Sequence, residues 1–549
     1  MRRGGKIVKS ISILDCTLRD GGYVNEWMFG KGNIKTIITK LIEAKIEIIE
    51  CGFISQKNKF SSDSSQFNSV EDLIGYLPEN RGKSTLVAMI NYGEYDPFDL
   101  PLCDGRSLDG IRVAFHKKDK DEALKVCQKV KDRGYKLFLQ PMVSLNYTDK
   151  QFLDLISKAN DINPYAFYIV DSFGAMKRSD LLHLFYLIDY NLDPDICVGL
   201  HSHNNLQLSY SHAQTLTSHL TKRDLIIDSS IFGMGRGAGN LNTELFAEYL
   251  NQVNGACYKV PPLLQVMDSV IDPIYRYKYW GYSLAYYLSA VHNCHPNYAT
   301  YLDNKNTLTV ENINEIFGRM DNDNKVIYDK DYAEKAYMNY QDDRVADLQS
   351  RAQLKEKLKG KNVLILAPGK SLYDERNKVA AAATEPNTVV ISVNFLPEGF
   401  EFECDFVFVS NIRRHEAMQG KGISNLIVTS NIRHRENASY VINYSDLLNS
   451  EESVEDNAAM MLVSLLITLE AASVQLAGLD GYTADLRGNF VQDNMEFLKK
   501  ASVMEDMNRG MTVILKKFSN QIPITFVTRP RHVHPFSISY LRKTIVSER

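Results

Sequence analysis

Two histidines, His201 and His203, flank Ser202 directly after the apolar run 196–200. Such a run reads as a buried strand. Residues two apart in a strand point to the same side. Both imidazoles therefore aim at one point just past the strand's carboxyl end. That arrangement supplies two nitrogen ligands to a divalent cation. A hydrogen-bonded structural pair is the plain alternative for His-x-His alone, so the choice rests on what else the chain brings to the same place.

Apolar runs at 11–15, 46–51, 84–90, 110–114, 136–140, 166–170, 196–200 and 225–228 alternate with amphipathic segments near 33–44, 66–77, 119–133, 149–160, 177–190 and 205–219. A further helix is expected near 242–252. Eight β/α units in this span predict a (β/α)8 TIM barrel, with an open doubly wound sheet as the alternative. Barrel sites lie at the carboxyl ends of the strands. The residues there are Asp15 to Tyr23, Glu50, Arg112 with His116, Gln140, Asp171 to Gly174, the two histidines, and Asp228 followed by the glycine-rich Gly233–Asn240. A solvated polar rim would not place acids, arginines and histidines so regularly at strand ends. The metal reading is thereby favoured over the structural one.

The run Leu14-Asp15-Cys16-Thr17-Leu18-Arg19-Asp20-Gly21, His201-x-His203 and Gly233-x-Gly-x-Gly-Ala-Gly-Asn240 together resemble the DRE-TIM metallolyase superfamily. Within it, Asp171-Ser172-Phe173-Gly174-Ala175-Met176 and His203-Asn204-Asn205-Leu206 look most like 4-hydroxy-2-oxovalerate aldolase. The resemblance covers about residues 8–255. It implies that Asp20, His201 and His203, with Asn240 as a further ligand, bind Mn²⁺ or Mg²⁺. It also implies a 2-oxo acid of the pyruvate type and an aldehyde as substrates. The cation would act as a Lewis acid on the 2-oxo acid, and Arg19 would place a fixed positive charge at the enolate oxygen. Arg112 and Ser172 are the substrate-binding candidates.

One departure concerns proton transfer. The aldolases carry a histidine after Arg-Asp-Gly, where this chain has Tyr23. Phenol is a poor base near neutral pH. Tyr23, His116 and Glu50 are the candidates for that role. Two other readings stay open: a Claisen-type synthase using an acyl-CoA, and a barrel without activity that scaffolds a ligand-binding domain.

Residues 272–302 are rich in tyrosine and contain His292 and His295. They form either a helical cap over the barrel mouth or a packed extension that allows a homo-oligomer. Three segments are expected: a catalytic barrel at 1–300, a helical connection at 301–360, and a Rossmann-like doubly wound α/β domain at 361–549. The last has a strand at 362–367 followed by Pro368-Gly369-Lys370-Ser371, and further strands at 388–393, 404–409, 425–429, 474–477 and 523–527. A strand, a glycine turn and a helix start can cradle phosphate. Ser410-Asn411-Ile412-Arg413-Arg414 and Ser430-Asn431-Ile432-Arg433-His434-Arg435 each follow a strand. Gly369, Ser371, Arg413, Arg414, Arg433 and Arg435 are therefore the candidates for a nucleotide or sugar phosphate. Leu476-Ala477-Gly478-Leu479-Asp480-Gly481-Tyr482, with the glycine loop at 367–371, is loosely similar to bacterial sialyltransferase-like and related Rossmann domains of surface-polysaccharide pathways, a resemblance that implies a sugar-derived aldehyde.

Composition narrows the partners. The net charge of −4 gives no basic field for nucleic acid. The eight cysteines form no C-x-x-C pair, and thiols inside apolar runs suit a reducing cytoplasm. The basic start Met1 to Lys6 lacks a signal-peptide core behind it. No run of about 18 apolar residues suggests a membrane span.

Overall fold

The structure is a computed structural model, and it describes residues 10–57, 59–219, 221–485, 487–492, 495, 501–533 and 539–540. The basic start of the chain lies outside these. Two compact units divide the chain: Met1–Thr300 with Asp321–Tyr328, and Tyr301–Met320 with Asp329–Arg549.

The first unit is a closed parallel barrel. Its strands are β1 (Ile11–Asp15), β2 (Ile48–Ile54), the short β3 (Gln66–Phe67), β4 (Thr85–Asn91), β5 (Gly110–Phe115), β6 (Lys136–Pro141), β7 (Ala166–Asp171), β8 (Cys197–Ser202) and β9 (Leu225–Ser229). Each neighbour in the order β1-β9-β8-β7-β6-β5-β4-β2 is hydrogen-bonded, and β1 pairs with β2 to close the ring. The expected closure is therefore present, and the open sheet is not. Strands β2, β5 and β7 are buried along their whole length, as parallel strands covered on both faces must be. Leu14, Ile48, Val87, Phe138, Tyr168 and Ile226 fill the barrel interior. A larger apolar layer, including Ile37, Leu41, Leu155 and Phe185, seals the helices onto the outside.

The segment expected as a helix over 66–77 is different. Gln66 and Phe67 extend beside Phe53 and Ile54 of β2. The helix begins only at Val70, because Ser69 caps it in a reciprocal pair with Asp72. After the barrel come the helices Val260–Val266, Asp272–Tyr277 and Leu284–Val291. Trp280 anchors this extension: its indole N–H donates to the Phe232 carbonyl at 3.2 Å, and its ring meets Tyr275 edge-on.

The second unit is a parallel sheet of β10 (Asn362–Leu366), β11 (Thr388–Val393), β12 (Phe406–Val409), β13 (Leu426–Thr429), β14 (Tyr440–Ile442), β15 (Ser473–Ala477), β16 (Ile524–Phe526) and β17 (Ser539–Tyr540). Its order is β14-β13-β12-β11-β10-β15-β16-β17. Alternate residues of β10 enter different cores: Val363 and Ile365 in one, Leu364 and Leu366 in the other. Both faces are thus covered. The chain order reverses between β10 and β15, the place where such sheets open a crevice. Residues 301–320 and 329–360 pack within this unit rather than forming a separate connection. Leu354 and Leu358 lie in its core, and Tyr337 bonds to Thr307 and Asp456.

Candidate active site

Asp20 follows β1, while His201 and His203 come from the end of β8. All three are buried, and one potential ligand atom from each lies within 4.8 Å of the others. Two glycines let the loop after β9 reach them. A Cβ on Gly235 would stand 2.4 Å from Asn240 Nδ2 and 2.7 Å from Asp20 Oδ2. Gly239 has φ +84°, and a Cβ there would meet the Gly233 carbonyl at 2.0 Å. Asn240 is drawn in beside Asp20, its Nδ2 donating to Oδ2 at 2.7 Å.

The ligand set fits a divalent cation. His201 Nδ1 sits 2.9 Å from Asp228 Oδ2, the carboxylate–histidine pairing that orients a metal-binding imidazole. His203 Nδ1 and Asn240 Oδ1 are buried and make no hydrogen bond among the described residues. Buried polar atoms are nearly always satisfied, so these two point to an absent partner. Burial alone would raise Asp20, but Arg19 and the two imidazoles hold it well below the usual carboxylate range. Burial pulls His203 down to about 3, so its imidazole is neutral and able to bind a cation.

A buried ionic chain supports the trio. Arg19 Nη1 contacts Asp20 Oδ1 at 2.5 Å, and its Nε contacts Glu50 Oε2 at 2.8 Å. Glu50 also takes Arg112 Nη1 at 2.9 Å, while Arg112 Nη2 reaches Asp228. The Arg112 guanidinium lies 5.0 Å from the centre of the Tyr168 ring. Gln140, with its amide oxygen turned to it, accepts from Nη2 at 2.9 Å. Each carboxylate thus holds two cationic or imidazole groups. Arg19 Nη2 is buried without a partner among the described residues, a charged donor available to an incoming oxygen.

Tyr23 packs edge-on to Trp27. Desolvation there pushes its phenol above the ordinary value, the wrong direction for a base. Burial moves the His116 imidazole below its ordinary value, which leaves it neutral and able to accept a proton near pH 7. Ser172 Oγ accepts from the Val143 amide at 3.0 Å, so its hydroxyl proton is free to point elsewhere. Asp228 and Arg236 join the site although the motifs assign them no role. Asp228 was legible as the last residue of the eighth apolar run. Arg236 was visible as the one charge in a glycine loop. Arg236 lies over the Tyr23 ring at 5.4 Å, bonds the Ser172 carbonyl at 3.2 Å, and meets His295 Nε2 at 3.2 Å. That contact brings His295 of the extension into the same group.

In the second unit the candidates separate. Arg433 pairs with Glu315 at 2.8 Å, and Arg435 with Asp343 at 3.1 Å. Arg413 donates to the Leu308 carbonyl and faces Asp303 at 3.5 Å. Their charges are taken up within the unit, because carboxylates and carbonyls of 303–343 lie beside the strand ends. Ser371 N donates to Asp480 Oδ2 at 2.8 Å, and Ser371 Oγ to Thr528 Oγ1 at 2.8 Å. A protein carboxylate thus occupies the donor expected to cradle phosphate. Gly369 and Arg414 line a cavity of about 260 Å³ at the carboxyl ends of β10, β11, β12 and β15. Burial, with the neighbouring Arg413 cation, brings the Arg414 guanidinium down to about 10.

A closed eight-stranded barrel with an Asp–His–His cluster at its strand carboxyl ends defines the class: a TIM barrel built around a candidate metal centre. Residues 112–266 match the HMGL-like family model. The chain is 28% identical over 271 residues to 4-hydroxy-2-oxovalerate aldolase of Roseiflexus castenholzii, covering 48% of this chain and 77% of that protein. It is 23% identical over 247 residues to oxaloacetate decarboxylase of Mycobacterium tuberculosis, covering 44% of this chain and 70% of the relative. The crystallised N-terminal domain of a proposed aldolase from Bacteroides vulgatus is 28% identical, with TM-score 0.47, over 53% of this chain and 96% of that one. These matches to the barrel support its placement in the DRE-TIM metallolyase superfamily.

Proposed function

We propose that the barrel is a divalent-metal-dependent aldolase that forms or breaks a carbon–carbon bond through the enolate of a 2-oxo acid. The observation that carries this reading is the buried Asp20–His201–His203 cluster with the unpartnered Arg19 Nη2 beside it. A cation held by these three residues, with Asn240 as a further ligand, would supply Lewis acidity to a 2-oxo acid, and Mn²⁺ or Mg²⁺ suits the set. Arg19 directs its free N–H at the C2 oxygen as that oxygen gains charge. Glu50 and Arg112 hold Arg19 and Asp228 in place rather than exchanging protons. Ser172 offers its hydroxyl to the substrate carboxylate. His116 takes the proton-transfer role in preference to Tyr23, because its imidazole is neutral and the phenol's shift is upward. The aldehyde partner is sugar-derived in this reading. The second unit, Rossmann-like in this account, holds a phosphorylated or nucleotide-bearing ligand in the cavity lined by Gly369 and Arg414, a setting that suits surface-polysaccharide metabolism.

The test adds oxaloacetate, whose decarboxylation yields the same pyruvate enolate, to metal-loaded protein and follows its loss. A parallel sample receives pyruvate and acetyl-CoA and is assayed for free thiol. Metal-dependent loss of oxaloacetate without thiol release is expected. Thiol release would favour the Claisen reading, and inertness in both assays would leave the barrel a scaffold.

A further inference from the structure

Three arginines stand at the barrel mouth, and they are not equivalent. Arg19 is paired with Asp20 and Glu50, and Arg112 with Glu50 and Asp228. Arg236 forms no ion pair within 4 Å among the described residues. Its guanidinium is partly buried, held by one carbonyl, one imidazole and the face of Tyr23. Its Nε is buried with no hydrogen-bond partner among the described residues. A partly buried cation with no ion-pair partner among the described residues is unfavourable, and a negative group at this place would relieve it.

The surroundings repeat that lack of a partner. Arg236 Nη1 and the Asn297 amide both direct N–H groups at the ring nitrogens of His295, at 3.2 Å each. A neutral imidazole offers one acceptor nitrogen and a protonated one offers none. One of these donors is therefore left facing a nitrogen that cannot accept it. Burial, Arg236 and His116 all drive His295 well below its ordinary value, so the cluster does not relieve itself by adding a further charge. The one acid that senses Arg236 electrostatically from the metal trio is Asp20, whose oxygens already serve Arg19 and Asn240.

We propose that Arg236, with His295 beside it, is the receptor for an anionic group on the second substrate, so that the carbonyl acceptor is an aldehyde carrying a phosphate or a carboxylate. This rests on the aldolase reading above and sharpens it. The receptor lies beside the metal trio on the same rim, so one substrate's reacting carbon and the other's anion share the mouth without sharing a partner. Arg19 serves the enolate, and Arg236 serves the acceptor. Tyr23, which stands where the related aldolases have a histidine, supplies the aromatic face that fixes the guanidinium.

The experiment uses the full chain loaded with Mg²⁺. Pyruvate condensation is measured with glycolaldehyde, glycolaldehyde phosphate and succinic semialdehyde, in the wild type and in Arg236→Ala and Arg236→Lys. The expected result is a kcat/KM for one charged aldehyde at least about ten-fold above that for glycolaldehyde, as for one charge-assisted contact. Which of the two is preferred tells phosphate from carboxylate. Arg236→Ala should remove most of this preference through KM, and Arg236→Lys should restore part of it. Calorimetric binding of glycolaldehyde phosphate and of succinate to wild type and Arg236→Ala supplies a readout that needs no turnover. If condensation fails but anion binding depends on Arg236, the aldolase reading is wrong and the receptor stands. Equal use of neutral and charged aldehydes, or anion binding unaffected by Arg236→Ala, overturns the receptor. So does a rise in the KM for pyruvate as large as that for the charged aldehyde, because Arg236 would then anchor the 2-oxo acid.

Discussion

Arg19 shows how one side chain can be both fully employed and available. Two of its nitrogens are tied to Asp20 and Glu50, which fixes the plane of the guanidinium, and the third has no partner. Arg19→Ala should lower kcat by on the order of 10²-fold or more, as for other charge donors preorganised toward a developing oxyanion. Metal content should stay near that of the wild type; a full loss of metal would make the arginine a structural support instead. A second residue bears on stability rather than chemistry. His212 is buried, both its ring nitrogens lack hydrogen-bond partners among the described residues, and burial draws it down to about 4. In the unfolded chain its imidazole titrates near ~6.5. The unfolded state therefore takes up a proton first as the pH falls. The stability at stake is complete above pH ~6.5 and is lost toward pH ~4, reaching about 3 kcal/mol. His212→Leu should flatten the fall in Tm between pH 7.5 and 5, measured by calorimetry. Parallel falls in both proteins would mean the ring is already solvated.

At the scale of elements, β9 carries the least visible part of the site. Asp228 near its end orients His201 and receives Arg112, so one strand end ties a proposed metal ligand to the ionic chain. Asp228→Asn keeps the shape but removes the charge. Its expected effect is a 10–100-fold weaker affinity for Mn²⁺, the usual cost of losing a partner behind a metal ligand, with the secondary structure retained. Unchanged affinity in a calorimetric titration would show that the imidazole is held by packing alone. The barrel strands were legible because apolar runs of strand length alternate with helical periodicity, and the residues that follow each run reveal the rim. Residues 66–67 were not, because a two-residue strand leaves no periodic trace and the Ser69 cap decides where the helix starts. Asp20, His201 and His203 could be grouped because each lies at the end of a strand or in the loop that follows it. His295 could not, because its place depends on how the extension folds over Trp280 and Phe232. The arginines at 413, 433 and 435 read as a basic edge, yet their partners at 303, 315 and 343 lie far away in sequence.

At the scale of the whole molecule, two parallel-sheet units serve different ends. The barrel puts its polar groups at the carboxyl rim of a closed ring, and the second unit opens a cavity where its strand order reverses. No helix among the described residues is long and apolar enough to cross a membrane. Metal binding should act on the barrel: saturating Mn²⁺ should raise Tm in the wild type but not in Asp20→Ala, because a ligand stabilises only the fold that binds it. An equal rise in both would place the metal elsewhere. The central claim is that Asp20, His201 and His203 hold a cation that, with Arg19, makes the enolate of a 2-oxo acid. Its most direct test is the exchange of pyruvate's methyl protons for deuterium in D₂O, followed by mass spectrometry on the full chain with and without Mg²⁺. The account predicts exchange that needs the metal, stops with a chelator, and falls by on the order of 10²-fold in Arg19→Ala. Exchange that proceeds equally in His201→Ala with the metal removed, or no exchange by the metal-saturated wild type, would contradict it.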